Sequence, residues 1–274
     1  MTQAERLAFL IKYLISENNE LKSFHIPVEE KARKRLLRSL MNIRPPKPVT
    51  KDFLNIQDEY LQREKTEKGI ISLADIPFMK SGFYLWQGDI TRLSVDAVVN
   101  AANSAMLGCF VPCHGCIDNA IHSAAGIELR LECSRIMGKK LSMEEDSMEK
   151  EHSMKKQKTE ELTGKAKITQ AYNLPCRYVL HTVGPIIYGK ITKRDCNLLS
   201  ECYRSCLELA AEYQLKSIAF CCISTGEFHF PNETAAKIAI QTVKDYQEKN
   251  PSDMEVIFNV FKDCDYKIYK QLLG

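Results

Sequence analysis

Apolar residues recur at three- and four-residue spacing through the first third of the chain, a period that predicts helices. Leu7, Leu10, Ile11 and Leu14 fall on one face of LAFLIKYLISE, VEEKARKRLLRSLMNI repeats the pattern, and FLNIQDEYLQRE follows the Pro-rich RPPKP. Three helices and a Pro-rich connection are expected between Thr2 and Glu67, with the apolar stripe of Leu7, Leu10, Ile11 and Leu14 covering the body that follows. From Phe83 short apolar runs alternate with helical periods. FYLWQGDI, DAVVNAAN, AKITQAYNL, YVLHTVG, IAFCCI and EVIFNVF have strand character, whereas IDNAIHSAAGIELRLECSRIM, NLLSECYRSCLELAAEY, TAAKIAIQTVKDYQEK and DYKIYKQLL read as helices. Such alternation argues for an α/β fold with a mixed, largely parallel sheet flanked by helices. The chain therefore divides into a helical extension, 1–82, packed on an α/β body, 83–274. One segment breaks the pattern: GKKLSMEEDSMEKEHSMKKQKTEE is charged and almost free of aliphatic residues, so 138–160 reads as a disordered, solvated insertion.

Composition narrows the function classes. At 274 residues, 45% of them hydrophobic, the chain is long enough for one large core plus an appendage. No apolar run is long enough to cross a bilayer, and MTQAERLAFLIKYL mixes acid and base among its apolar residues, unlike a signal peptide. A cytoplasmic, soluble protein with no membrane contact is expected. The 11 cysteines are odd in number and come with no secretion signal, which favours reduced thiols, some of them ligands. A formal charge of +3, without a Lys/Arg block interleaved with aromatics, gives no ground to expect nucleic acid.

Ligands of open α/β sheets bind at the carboxyl ends of strands, so the loops after strands matter most. Asp89 in QGDI is either a turn aspartate or an acceptor for an amine such as the exocyclic nitrogen of adenine. Asn100 and Asn103 end an apolar run and offer donors and acceptors to hydroxyl groups. Cys109, Cys113, His114 and Cys116 lie just before a helix that begins near Ile117; three of them would suit a zinc ion with an open position, and a buried cysteine-rich turn is the alternative. Spacing does not decide which three. In CCISTGEFHFP, Ser224, Thr225 and Gly226 follow a strand, where small residues let backbone amides wrap a phosphate.

The segment from Phe83 to Leu273 resembles a macrodomain, the three-layer α/β/α fold that binds ADP-ribose, on the motifs GDIT, DAVVNAANS, IDNAIHSAAG, GKAKITQAYNLP, YVLHTVGPI and ISTGEFHFP. GCFVPCHGC in place of a glycine-rich loop resembles the zinc-containing microbial macrodomains, protein-ADP-ribose hydrolases that also have a helical N-terminal extension. That resemblance implies one zinc ion held by Cys109, His114 and Cys116. It implies adenine held by Asp89 and Ile90, and a diphosphate cradled by amides around Ser224, Thr225, Gly226, Glu227 and Phe228 with those of Cys116 and Ile117. Asn103 would orient the distal ribose, Asn100 would brace the same loop, and Asp118 would position or deprotonate water. Asp118 also fits a helix-N-terminal acid, while His122 and His181 read as packed histidines. The zinc would polarise a departing carboxylate, activate water, or orient ribosyl hydroxyls; the sequence leaves these roles open. The implied reaction removes mono-ADP-ribose from acidic side chains of a modified protein. The family's frequent association with a lipoyl carrier protein makes such a carrier the implied partner. A reader macrodomain that binds without cleaving is the first alternative. A redox or metal-storage protein built on the cysteines is the second, and it leaves the loop motifs unexplained.

Overall fold

The computed structural model of the chain describes residues 1–21, 23–138 and 160–274. Side chains set the helix starts in the first third. Thr2 forms a capping box with Glu5 ahead of α1 (Gln3–Ser16), and the Thr50 hydroxyl accepts the Phe53 amide ahead of α3 (Lys51–Lys68); between them lies α2 (Glu30–Ile43). The stripe of Leu7, Leu10, Ile11 and Leu14 is fully covered, but not as its periodicity alone suggested. It packs on Leu37, Leu40 and Met41 of α2 and on Phe53 and Tyr60 of α3, forming a small core of its own, and among the described residues of the α/β body only Ile127 joins it. Three amphipathic helices satisfy one another first, so their junction with the body is largely polar. There the Gln57 side chain accepts the Ile127 amide at 2.9 Å, and Asn173 donates to Asp58 at 2.7 Å.

β1 (Ile71–Ser72), near the end of 1–82, pairs with β3 (Leu93–Ser94), and the described residues of the body otherwise form one sheet of six strands. These are β2 (Tyr84–Gln87), β4 (Ala97–Ala102), β5 (Ala166–Gln170), β6 (Tyr178–Val183), β7 (Ser217–Phe220) and β8 (Glu255–Val260), in the order β2-β8-β7-β4-β6-β5. All neighbours are parallel except β5, which runs antiparallel to β6, so the mixed, largely parallel sheet is borne out. In β4 every residue but Ala101 is buried, which its Ala- and Val-rich sequence permits and a central parallel strand requires. Connections run through α4 (Ile117–Ala125), α5 (Ile127–Ile136), α6 (Lys193–Glu212) and α7 (Asn232–Lys249), and the chain ends in α8 (Asp263–Leu273). Contacts link α6 to α7 and α7 to α8 in one layer, while α4 and α5 pack together against β4 and β5. Because β6 and β7 lead toward one sheet edge and β4 toward the other, right-handed crossovers put these two helix sets on opposite faces. The result is the expected three-layer α/β/α body.

One expected helix is two. The period through IDNAIHSAAGIELRLECSRIM runs on without a break, yet Gly126 sits at φ +96° and separates α4 from α5. A Cβ there would lie 2.6 Å from the Gln57 side chain, so the bend lets α3 approach closely. Among the described residues no helix is long and apolar enough to cross a membrane. The expected insertion at 138–160 falls mostly outside the described residues, which resume at Glu160.

Candidate functional site

Parallel strands deliver their carboxyl ends to one edge, and there β4 hands its last polar side chains to the start of α4. Asn100 is fully buried; its amide nitrogen donates to Asp118 Oδ1 at 2.8 Å and contacts His181 Nδ1 at 3.1 Å. Asn103 donates to Asp118 Oδ2 at 3.3 Å and to the Gly108 carbonyl at 3.1 Å. Two amides therefore hold both oxygens of one carboxylate. Asp118 is itself buried, and burial pushes its pKa up to about 6 against the opposing pull of the Asn100 bond and the Arg130 charge. A carboxylate so placed is a base tuned toward neutrality. Across one turn of α4, His122 Nε2 lies 3.5 Å from Asp118 Oδ1; burial holds both His122 and His181 well below the usual histidine range, so both are neutral. The carbonyl oxygens of Asn100 and Asn103 and the Ser224 hydroxyl are buried without a hydrogen-bond partner among the described residues. Buried acceptors left open in this way suit a hydroxyl-bearing ligand. Asn100 thus binds the carboxylate and the histidine rather than bracing the loop after Asn103.

That loop closes the site. Cys109, His114 and Cys116 bring their donor atoms within 4.8 Å of one another, with Cys109 Sγ 3.6 Å from His114 Nδ1. Cys113 points elsewhere, its sulfur 3.2 Å from Ser39 Oγ and near the Arg35 carbonyl, so of the four residues in the stretch the candidate trio is Cys109, His114 and Cys116. Cys116 caps α4, its sulfur accepting the Asn119 amide. Burial first, and the neighbouring Cys109 sulfur among lesser causes, pushes the Cys116 thiol up to about 12. Two soft donors and an imidazole packed without a cation are electrostatically unfavourable as thiolates, and a borderline-soft divalent ion is the partner that this donor set fits. His114 Nε2 lies 3.6 Å from Glu227 Oε1, beyond hydrogen-bond distance, so the cysteine loop faces the loop after β7.

In that second loop Ser224 takes φ +65°, and the Phe230 amide closes back on its carbonyl at 2.9 Å. The amides of Gly226, Glu227 and Phe228 have no acceptor among the described residues, so they are free for an anion. A Cβ on Gly226 would meet nothing within 4 Å. No protein neighbour demands glycine there. Gly184, by contrast, has Ser224 Oγ where its Cβ would be, so the absence of a side chain is what admits the loop. Asp89 is the turn aspartate of the two readings that the sequence offers: its Oδ1 accepts the Thr91 amide and hydroxyl at 3.0 and 2.7 Å, capping the 3-10 turn of Ile90–Arg92, which leaves Oδ2 without a protein donor among the described residues. Asp89 is bonded to none of the other candidates. It lines a groove of about 920 Å³ between α2, α3 and the outer face of α4 that also reaches Cys113.

Arg130 escaped the sequence reading. Its only signal was a cation on the buried face of the Leu129–Cys133 period, and it bonds to the carbonyls of Leu107 and Cys109.

The chain is similar to several known proteins. The Macro domain profile matches residues 99–239. A protein-ADP-ribose hydrolase of Treponema medium is 53% identical over 278 residues, covering 100% of both chains. One from Staphylococcus aureus strain MSSA476 is 41% identical over 268 residues, covering 97% of this chain and 94% of that one. The Trypanosoma brucei macrodomain in complex with ADP-ribose superposes with a TM-score of 0.62 at 28% identity, over 83% of this chain and 92% of that one.

Proposed function

This chain belongs to the macrodomain family, and from that premise we propose that it is a protein-ADP-ribose hydrolase that removes mono-ADP-ribose from a modified protein. The observation that supports this most is the buried Asp118 carboxylate held by Asn100 and Asn103 beside open acceptors. A reader needs only to bind, and gains nothing from burying a base. The identity to named hydrolases across the whole chain points the same way.

In this reading the free amides of Gly226 to Phe228, with those opening α4 at Cys116 and Ile117, cradle the diphosphate, where the helix N-terminus favours anions. Asp89 Oδ2 and the Ile90 amide take the adenine. Asn103 Oδ1 accepts a hydroxyl of the distal ribose, while Asp118 orients a water and accepts its proton. Water gives a hydroxyl to the sugar and a proton to the released side chain, which returns as a free acid beside ADP-ribose. Cys109, His114 and Cys116 would hold a zinc ion, which supplies charge stabilisation and orientation at the distal ribose. That the modified side chain is acidic, that its bearer is a lipoyl carrier, that the protein works in the cytoplasm, and that 1–82 forms an extension packed on a macrodomain of 83–274 all belong to this proposal.

The test is to incubate the full chain with a mono-ADP-ribosylated protein, with and without chelator, and follow free ADP-ribose. Metal-dependent release supports the hydrolase; tight binding without release would make the protein a reader. Replacing Asp89 with Ala is expected to weaken ADP-ribose binding by about 1–3 kcal/mol, the range for losing a charge-assisted hydrogen bond, and to leave metal content unchanged. Calorimetric titration reads this directly, and unchanged affinity would put the adenine elsewhere.

A further inference from the structure

We infer that the N-terminal helices position the cysteine–histidine loop, and that Arg38, Asn42 and Arg130 are the positioning residues through which they act. The loop from Leu107 to Cys116 contains no helix or strand of its own, yet it is gripped from behind at almost every ligand. From α2, Arg38 donates to the His114 carbonyl at 3.1 Å and, through both Nε and Nη2, to Asn119 Oδ1; Asn119 in turn donates to the Val111 carbonyl at 2.9 Å. One turn on, Asn42 Oδ1 accepts the Cys113 amide at 2.9 Å while its nitrogen donates to Ser123 of α4. Cys113 sits at φ +52°, a left-handed conformation that a non-glycine residue keeps only where its surroundings impose it.

Arg130 joins the two bodies. It is 5% exposed, and no salt bridge to a carboxylate is found for it among the described residues, an arrangement that is costly unless its donors are otherwise satisfied. They are. Nη1 donates to the carbonyls of Met41, Asn42 and Arg44, at the carbonyl-rich end of α2, where the helix dipole is negative. Nε and Nη2 donate to the carbonyls of Leu107 and Cys109, and the guanidinium lies 4.3 Å from the centroid of the Phe110 ring. Its charge persists at neutrality even though burial pulls its pKa down to about 10. One side chain thus binds the end of α2 to the backbone of the first proposed ligand, and Arg38 binds the middle of α2 to the backbone of the second. Any displacement of α2 is passed to the directions in which Cys109 and His114 present their donor atoms. Nothing in this grip touches Asp89 or the amides after Ser224.

The metal arm of this inference rests on the zinc reading above, so the test includes an arm that does not. In the full-length protein, compare Arg38→Ala, Asn42→Ala and Arg130→Lys with wild type and with Val243→Ala, which opens a cavity in α7 in the opposite layer. Outer-shell partners typically tune metal affinity or activity about 10- to 100-fold, so the α2 variants are expected to release zinc to a chelator faster by about that factor and to shift the absorption of the cobalt-substituted protein. Turnover falls by a larger factor than KM for the modified protein rises, because Asp89 and the amides of Gly226 to Phe228 lie outside the grip and only the amides at Cys116 and Ile117 adjoin it. In metal-stripped protein, alkylation of Cys113, followed by mass spectrometry, accelerates in Arg38→Ala and Asn42→Ala and not in Val243→Ala. If wild type holds no zinc, the metal reading fails and the Cys113 rates alone decide this inference. Equal alkylation rates in wild type and the α2 variants overturn it, as does a Val243→Ala control that changes as much as they do.

Discussion

Asp118→Ala is expected to lower turnover by about 10²- to 10⁴-fold, the range for removing a general base, while sparing most of the affinity for ADP-ribose. The geometry explains the split. Asp118 lies under the site, held by Asn100 and Asn103, and contributes no atom to the amides that would bind the diphosphate. Loss of the carboxylate leaves both Asn side chains with an open donor, so some disorder at the ribose end accompanies the loss of the base. Asp118→Asn is the sharper form of the experiment. It keeps the shape but sets an NH₂ group against one of the two donating amides, and it has no proton acceptor of comparable basicity. Single-turnover release of ADP-ribose, measured beside calorimetric affinity, reads both quantities. Turnover within about two-fold of wild type would remove Asp118 from the chemistry and leave it as a helix-N-terminal acid.

What the sequence made legible follows from how local each signal is. Strand and helix order in the α/β body emerged from periodicity because a β4 that reads AVVNAA has few alternatives to the centre of a sheet. Asp89, Asn103 and Ser224 were placed by their position after strands, since a parallel sheet sends those ends to one edge. The partition of the three-helix unit was less legible: a stripe such as Leu7–Leu14 states that something covers it, and α2 and α3, being nearest along the chain, did so. The break at Gly126 was hidden because a glycine inside an unbroken apolar period differs from any other helical glycine only through its tertiary neighbour, Gln57. Long-range polar partners were the least legible of all. Arg38 and Arg130 stand 92 residues apart in sequence, counting 38 to 130, and nothing in either local pattern marks two arginines that end on one loop. On the loop itself their bonds are to backbone carbonyls, which every sequence supplies, so only the folded chain can pair them.

Cys109→Ala and Cys116→Ala are each expected to strip most of the metal from a protein that otherwise holds about one zinc per chain, since a site with three protein ligands has no spare donor. The neighbouring cysteine sharpens the test. Cys113 lies within the same stretch, but its sulfur faces Ser39 and the Arg35 carbonyl, so Cys113→Ser keeps a polar group of similar reach and should leave zinc in place. A second trio, the buried His122, Cys133 and His181, also brings its donor atoms within 4.8 Å and supplies an internal control. Both ring nitrogens of His181 already face Asn100 and Thr169, and burial holds the Cys133 thiol far above its ordinary range, so that trio has little to offer a cation. Cys133→Ala should therefore retain the metal that Cys109→Ala loses. Elemental analysis of the purified variants decides: full zinc in both Cys109→Ala and Cys116→Ala would break the assignment, whereas loss confined to those two locates the ion at the mouth of α4, beside Asn103 and Asp118.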